Sequence, residues 1–213
     1  RPFLLTGEET ANAPAGTQTI QGIPGALKAY KYKIQISPLD CTGCSNCADV
    51  CPSKNKALIM KPLETQLSEV ERWNYMHEKV GYKDTVVDKF VNVKNSQFVQ
   101  PLFEFSGACA GCGETSYIKA ITQLYGDRMI IANATGCSSI YGGSAPATTY
   151  TTNKAGKGPA WANSLFEDNA EYGFGQMLGT TRLRERIALR MTEAMSNGFA
   201  AAETKAAFEE WLK

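Results

Sequence analysis

Polar and apolar residues alternate over Lys31–Ser37, with Tyr32, Ile34 and Ile36 set against Lys31, Lys33 and Gln35. A period of two predicts a half-buried strand. Ala57–Met60 (ALIM) predicts a second short strand, and the thirty residues before Lys31, rich in Thr, Gly, Ala and Pro, predict a long irregular connection. Residues 65–80 carry Val70, Trp73, Met76 and Val80 near one helical face, with Ser68 and Glu71 spaced as a capping box and Gly81 placed to end the helix. A second helix is predicted over Glu114–Tyr125, stopped by Gly126, and Arg128–Ala134 (RMIIANA) reads as a buried strand.

Beyond it, residues 141–160 are loop-like, with many Gly, Ser, Thr and Pro. Ser164 and Glu167 give another capping-box spacing, opening a long helical stretch to Asn197-Gly198 with a predicted break near Gly173–Gly179. Ala201–Lys213 predicts a further helix that stops without a closing element. Helix, strand and Gly/Ser-rich turn in this order indicate an α/β class.

Composition narrows the function classes. The 213 residues suffice for one large domain or two small ones, and 43% hydrophobic with 20% charged residues is ordinary for a globular chain. A net charge of +1 argues against nucleic acid as a partner, and no apolar run is long enough to span a bilayer. The chain opens on Arg1-Pro2 without an initiator Met or a secretory signal, so it is expected to begin inside a longer polypeptide or after processing. Seven cysteines, an odd number at tight spacing, favour metal ligation in a reducing cytoplasm over a disulfide framework.

Cys41-x-x-Cys44-x-x-Cys47-x-x-x-Cys51-Pro52 is the run of a bacterial ferredoxin. Three thiolates two residues apart can wrap one [4Fe–4S] cube. The fourth, followed by Pro, serves a second cube in two-cluster ferredoxins. Gly43, with Thr42, Ser45 and Asn46 near it, leaves backbone N–H groups free to face cluster sulfurs and favour the reduced state. Zinc prefers separated pairs, and unrelated buried cysteines need no such spacing. The fourth ligand for Cys41, Cys44 and Cys47 is not nearby, so a matching run is expected before Arg1, and strands 31–37 and 57–60 would form half of a ferredoxin fold.

Cys109-x-x-Cys112 lies in a glycine-rich loop ahead of the second helix, and Cys137 follows the buried strand in Ala134-Thr135-Gly136-Cys137-Ser138-Ser139. Spacing alone leaves this open between a cluster, a redox dithiol, half a zinc ribbon and buried small hydrophobes.

The strings RPFLLT, IQISPLDCTGCSNCADVCP and MKPL resemble the ferredoxin domain of the pyruvate:ferredoxin (flavodoxin) oxidoreductases. FSGACAGCGET, IANATGCSSIYGGSAP and GPAWANSLFEDNAEYGFG look like the start of that family's thiamine-diphosphate domain, in the same order. The match covers residues 1–178. The resemblance implies three regions: residues 1–62 as part of a two-[4Fe–4S] ferredoxin-type domain, α+β in character, residues 63–103 as a helical connection, and residues 104–213 as the first part of a thiamine-diphosphate-binding α/β domain. It implies that Cys109, Cys112 and Cys137 ligate a proximal cluster beside the thiamine cofactor. Three, one and three thiolates then account for all seven cysteines, and five of the twelve that three cubes require are expected outside the chain.

The implied activity is oxidative decarboxylation of pyruvate to acetyl-CoA and CO₂, with electrons passed through the clusters to ferredoxin or flavodoxin. Pyruvate and coenzyme A, the remaining domains of the parent enzyme and a second copy in a homodimer are the implied partners. Glu114 matches a family position near the cofactor, or else complements the N-terminus of its helix. Gly136, Ser138 and Ser139 could offer N–H and hydroxyl groups to thiamine diphosphate, or form an ordinary strand-to-helix turn. Asn163, Ser164, Glu167 and Asp168 are explained by a helix cap and its first turn. The Gly-Asp-Gly and Asn that hold Mg²⁺ in thiamine enzymes are absent, so the Mg²⁺ ligands are expected outside this chain and the fragment alone is expected to be inactive. No catalytic residue is assigned.

Two other classes compete: an iron–sulfur electron carrier without an organic substrate, and a zinc-stapled structural protein. The residues after Gly136 exceed what a carrier needs. His77 is expected to be an exposed helical histidine, Trp73, Trp161 and Trp211 packing anchors, and Lys154 and Lys157 part of a solvated loop. Arg182, Arg184, Arg186 and Arg190 form a basic helix face balanced by Glu185 and Glu193.

Overall fold

The apolar run Phe3-Leu4-Leu5 organises the start of the chain, and all three side chains are buried. In the computed structural model, which describes residues 1–23, 25–143 and 148–213, this run forms strand β1 (Pro2–Leu5). It is followed by α1 (Gly7–Ala11), β2 (Ile20–Gln21) and β3 (Lys31–Ile34). The three strands make an antiparallel sheet in the order β1-β3-β2, with Phe3 opposite Lys33 and Leu4 opposite Tyr32. The first thirty residues are therefore structured where an irregular connection was expected. The reason is that successive side chains of a strand point to opposite faces and both faces of β1 are covered. Phe3 and Leu5 pack with Met76 and Val80, while Leu4 packs with Leu27 and Phe98.

The expected alternation in β3 is not what folding uses. The strand ends at Ile34, Gln35 is buried, and Ile34 and Ile36 are exposed. Gln35 can be buried because its amide donates to the Glu69 carboxylate and to the Ile36 carbonyl.

Four helices follow: α2 (Asn46–Asp49), α3 (Glu69–Glu78), α4 (Val93–Ser96) and α5 (Glu114–Tyr125). α5 has the predicted bounds. α3 is shorter than 65–80, with a 3-10 turn over Leu63–Gln66 ahead of it. Ser68 makes no capping bond, since its backbone is already helical. The helix is capped at Lys79, two residues before Gly81, whose N–H bonds the Glu9 carboxylate. Met76 and Val80 are buried on the expected face.

Residues 57–60 form no strand. Ile59 and Met60 are exposed, so this short apolar run has no face to bury against a sheet.

The chain continues with β4 (Ile130–Ala134), α6 (Cys137–Gly143), β5 (Ala160–Ser164), α7 (Asn169–Ser196) and α8 (Ala202–Trp211). β4 and β5 pair as a two-stranded sheet. β4 is half-buried with Ile130 exposed, so the expectation of a buried strand is not met: a single partner strand leaves it little cover. Within 141–160, expected as loop, the end of α6 is helical and Tyr150 bridges Phe103. The part of that loop expectation that falls on 144–147 lies outside the described residues.

Ser164 ends β5 and opens no helix, and α7 runs unbroken through Gly173–Gly179. The helical hydrogen-bond ladder tolerates these glycines at a cost of about 1 kcal/mol each relative to alanine. Trp211 is exposed, not a packing anchor, because α8 buries none of its residues.

Two compact units result. One comprises residues 1–130 and 140–160, the other residues 131–139 and 161–213. Helices and small sheets together place the chain in the α/β class.

Candidate metal centre

Between Cys41 and Cys47 no regular structure forms until α2 starts at Asn46. Gly43 and Ser45 both adopt left-handed backbone, with φ of 69° and 62°. For a serine this conformation is costly, by the order of 1 kcal/mol, and it turns N–H groups toward one side of the loop. The Ser45 hydroxyl donates to the Asp49 carboxylate at 2.6 Å. Lys56, itself left-handed at φ 49°, donates to the Ala48 and Asp49 carbonyls at 3.0 and 2.8 Å and closes the end of α2.

Cys51 follows that helix. The backbone N–H of Ser53, with those of Leu58 and Ala57 and the Lys56 charge, holds its thiol below the ordinary cysteine range against a small burial effect. Donors gathered on a sulfur are what a ligating thiolate requires.

The second pair sits in a tight turn, with the Cys112 N–H donating to the Cys109 carbonyl at 3.0 Å. Gly111 between them has φ 77°. The turn feeds α5, where the Thr115 and Ser116 hydroxyls donate back to the Cys112 and Gly113 carbonyls at 3.4 and 2.6 Å. Glu114, the first residue of α5, is exposed. Among the described residues the buried Tyr141 hydroxyl has no hydrogen-bond partner, and burial together with the nearby Glu114 carboxylate pushes it far above the usual phenol range. The two cysteine loops meet: Asn46 Nδ2 donates to the Gly111 carbonyl at 3.2 Å.

Cys137, Gly136, Ser138 and Ser139 belong to the other unit. Here Ser139 Oγ accepts from Asn133 Nδ2 at 3.0 Å and from the Gly136 N–H at 3.2 Å. It lies 2.9 Å from the Ala134 carbonyl and 2.8 Å from Asn163 Oδ1, either of which can take its proton. Asn163 Nδ2 in turn donates to Thr135 Oγ1 at 3.2 Å. The Ser139 hydroxyl is thus engaged in holding the β4–α6 turn, while the position of an added Cβ at Gly136 meets nothing within 4 Å. The backbone there is open to close approach.

Asn163 and Ser164 lie in β5, so the helix-cap reading of these two fails: strand pairing claims them before the helix begins. Asn133 and Thr135 are residues of this turn that spacing along the chain does not single out, while Asn46 and Asn163 are named there for other reasons than the contacts they make. Asn46 had a signal in its place within the first run, but its partner is 65 residues away.

All seven cysteines are free thiols, and only Cys51 and Cys112 are partly covered. Among the described residues, no three His, Cys, Asp or Glu side chains close on a single-ion site. A cube asks for something else, thiolates on separate iron corners. Exposed thiols on a left-handed loop and a thiol whose pKa is lowered fit that requirement.

Comparison with known proteins first defines a class. The 4Fe-4S binding domain family matches residues 34–54, which span the first cysteine run. The chain also aligns in full, at 54% identity over 215 residues, with a pyruvate-flavodoxin oxidoreductase of Enterobacter agglomerans. It aligns at 54% over 212 residues with the pyruvate:ferredoxin oxidoreductase of Moorella thermoacetica. A pyruvate dehydrogenase [NADP(+)] of Cryptosporidium parvum is 49% identical over 219 residues. The chain spans 18% of the length of the first two relatives and 11% of the third. Along its whole length it is homologous to one stretch of the pyruvate:ferredoxin and pyruvate:flavodoxin oxidoreductases. No described helix is long and apolar enough to cross a membrane.

Proposed function

We propose that the chain is part of a cytoplasmic 2-oxoacid oxidoreductase that converts pyruvate and coenzyme A to acetyl-CoA and CO₂ and delivers the electrons to ferredoxin or flavodoxin. The observation that carries this reading is a ferredoxin-type cysteine run inside a chain that aligns from end to end with such enzymes. Residues 1–62 are read as part of the two-cluster domain, 63–103 as the connection and 104–213 as the start of the thiamine-diphosphate domain. A homodimer with the remaining parent domains is the proposed assembly.

Cys41, Cys44 and Cys47 would hold one [4Fe–4S] cube, Cys51 a second, and Cys109, Cys112 and Cys137 a third, with other cysteines completing each. Bound there, the cubes would supply one-electron carriers. Thiamine diphosphate with Mg²⁺ would supply the electron sink for decarboxylation. This chain's part in holding it falls to Gly136, whose backbone is open, to Ser138, and to Ser139, which fixes the turn from behind. Glu114 would stand near the cofactor at the head of α5. Mg²⁺ ligands are not assigned here.

Anaerobic reconstitution of the full-length protein carrying this sequence with iron and sulfide tests the ligand reading. A brown protein that loses iron when these seven cysteines are replaced is expected, and a colourless protein that takes up zinc instead would end it. Thiamine-diphosphate binding by a longer chain containing this sequence separates enzyme from electron carrier. The 213-residue chain by itself is expected to show no coenzyme-A-dependent dye reduction with pyruvate. Robust turnover would contradict the assignment of cofactor ligands to other segments.

A further inference from the structure

The ferredoxin-type loop and the second C-x-x-C turn are far apart in sequence, yet within the first unit they touch at one point. Asn46 Nδ2 donates to the Gly111 carbonyl at 3.2 Å. A Cβ added to Gly111 would lie 3.3 Å from Asn46 Nδ2 and 3.5 Å from Cys44 Cβ. Gly111 also needs the left-handed conformation, φ 77°, to present its carbonyl in this way.

Asn46 is flanked by Cys47 and sits between two candidate ligands of one cube. Gly111 sits between two candidate ligands of another. The hydrogen bond therefore joins the two ligand loops directly, with no intervening element.

Resting on the cluster reading above, we propose that Asn46 is a positioning residue that clamps the two thiolate loops together and sets the spacing between the two iron–sulfur centres. Gly111 is its counterpart: its left-handed backbone offers the carbonyl, and an added Cβ would press on Asn46 Nδ2 at 3.3 Å. An electron crossing this gap oxidises one cube by one and reduces the other by one. No bond is made or broken, so spacing is the quantity the protein controls. The contact is exposed and rests on a single neutral hydrogen bond. Its loss is expected to open the contact about fivefold more often.

The test uses the full-length, anaerobically isolated protein carrying this sequence, with Asn46→Ala, the isosteric non-donor Asn46→Asp, and Gly111→Ala. Iron content and the electron paramagnetic resonance spectrum of the fully reduced protein are measured. Wild type is expected to show magnetic splitting between neighbouring reduced clusters. Both Asn46 variants are expected to keep wild-type iron while the splitting weakens and broadens, with Gly111→Ala moving the same way and further. Unchanged spectra in all three variants would overturn the clamp. So would loss of iron from both Asn46 variants, which would make Asn46 a support of a single cluster. An iron-free wild type would instead defeat the cluster reading itself, and a loaded wild type without splitting would defeat only the spacing inferred here.

Discussion

Lys119 is a cation kept in place without a carboxylate. Its ammonium donates to Gln97 Oε1 at 2.9 Å and to Gln123 Oε1 at 3.2 Å, both neutral acceptors. Burial, and then the nearby Arg1 charge, pull its pKa down to about 8 from 10.5. The unfolded chain therefore binds the Lys119 proton more tightly between those two values. Stability must rise with pH across that window and be insensitive to this group below it. Urea unfolding under reducing conditions at several pH values from 7 to 10 should show the slope, and Lys119→Met should flatten it. Identical slopes in the two proteins would show that the charge is not strained. Ser139 supports a second expectation at this scale. Its hydroxyl serves the Gly136 N–H, Asn133 and Asn163 at a partly exposed turn, so Ser139→Ala should cost about 0.5–1.5 kcal/mol in unfolding free energy. Ser138→Ala should cost little, since no hydrogen bond of its hydroxyl enters this network.

Elements are tied by few groups, and Glu9 is the clearest. At the third position of α1 it completes a capping box, accepting the Thr6 N–H at 2.7 Å while Thr6 Oγ1 accepts the Glu9 N–H at 3.1 Å. The same carboxylate takes Lys83 Nζ at 2.8 Å and the Gly81 N–H at 3.3 Å, joining α1 to the segment after α3. Burial raises its pKa, but the bonds from Lys83, Thr6 and Gly81 outweigh it and the net value falls below 4.5. Its contribution is then present above the ordinary glutamate range and is lost as pH falls through the lowered value. Glu9→Gln should destabilise by about 1–3 kcal/mol at pH 7 and by progressively less toward pH 3, read from thermal unfolding at each pH. A constant difference would mean that shape, not charge, is at work.

This element also shows what a sequence discloses. Thr6-x-x-Glu9 has the capping-box spacing and forms it, whereas Ser68/Glu71 and Ser164/Glu167 have the spacing and do not. Spacing cannot report that Ser68 will itself take helical backbone or that Ser164 will lie in a strand. α5 was legible to the residue, because its apolar pattern is bounded by Gly113 and Gly126. The first cysteine run was legible too, since its spacing is a property of the local chain and the 4Fe-4S binding domain family matches it. The Asn46–Gly111 contact was not, because nothing in either segment names the other.

At the scale of the whole molecule, apolar surface is unevenly covered. In the first unit two clusters around Phe3-Leu4-Leu5 are closed. In the second, neither α7 nor α8 buries a residue. Phe174, Met177, Leu178, Leu183, Ile187 and Leu189 along α7 are exposed, as are Phe199 and Trp211 beyond it. Helical packing against water would place such residues on one stripe, with a polar face opposite. On α7 they fall on more than one side, the pattern of a helix that has neighbours on several sides. Exposed apolar area of this extent drives association in water. The 23.2 kDa chain on its own should therefore bind an apolar dye such as ANS and sediment above its monomer mass at micromolar concentration. Two substitutions to charge, Leu183→Glu and Ile187→Glu, should lower both signals while leaving the unfolding of the first unit unchanged. Leu183 is 52% and Ile187 43% exposed, so each change should cost no more than about 1 kcal/mol in helix stability. A chain that stays monomeric and dark to the dye before any substitution would show that these helices cover one another in solution.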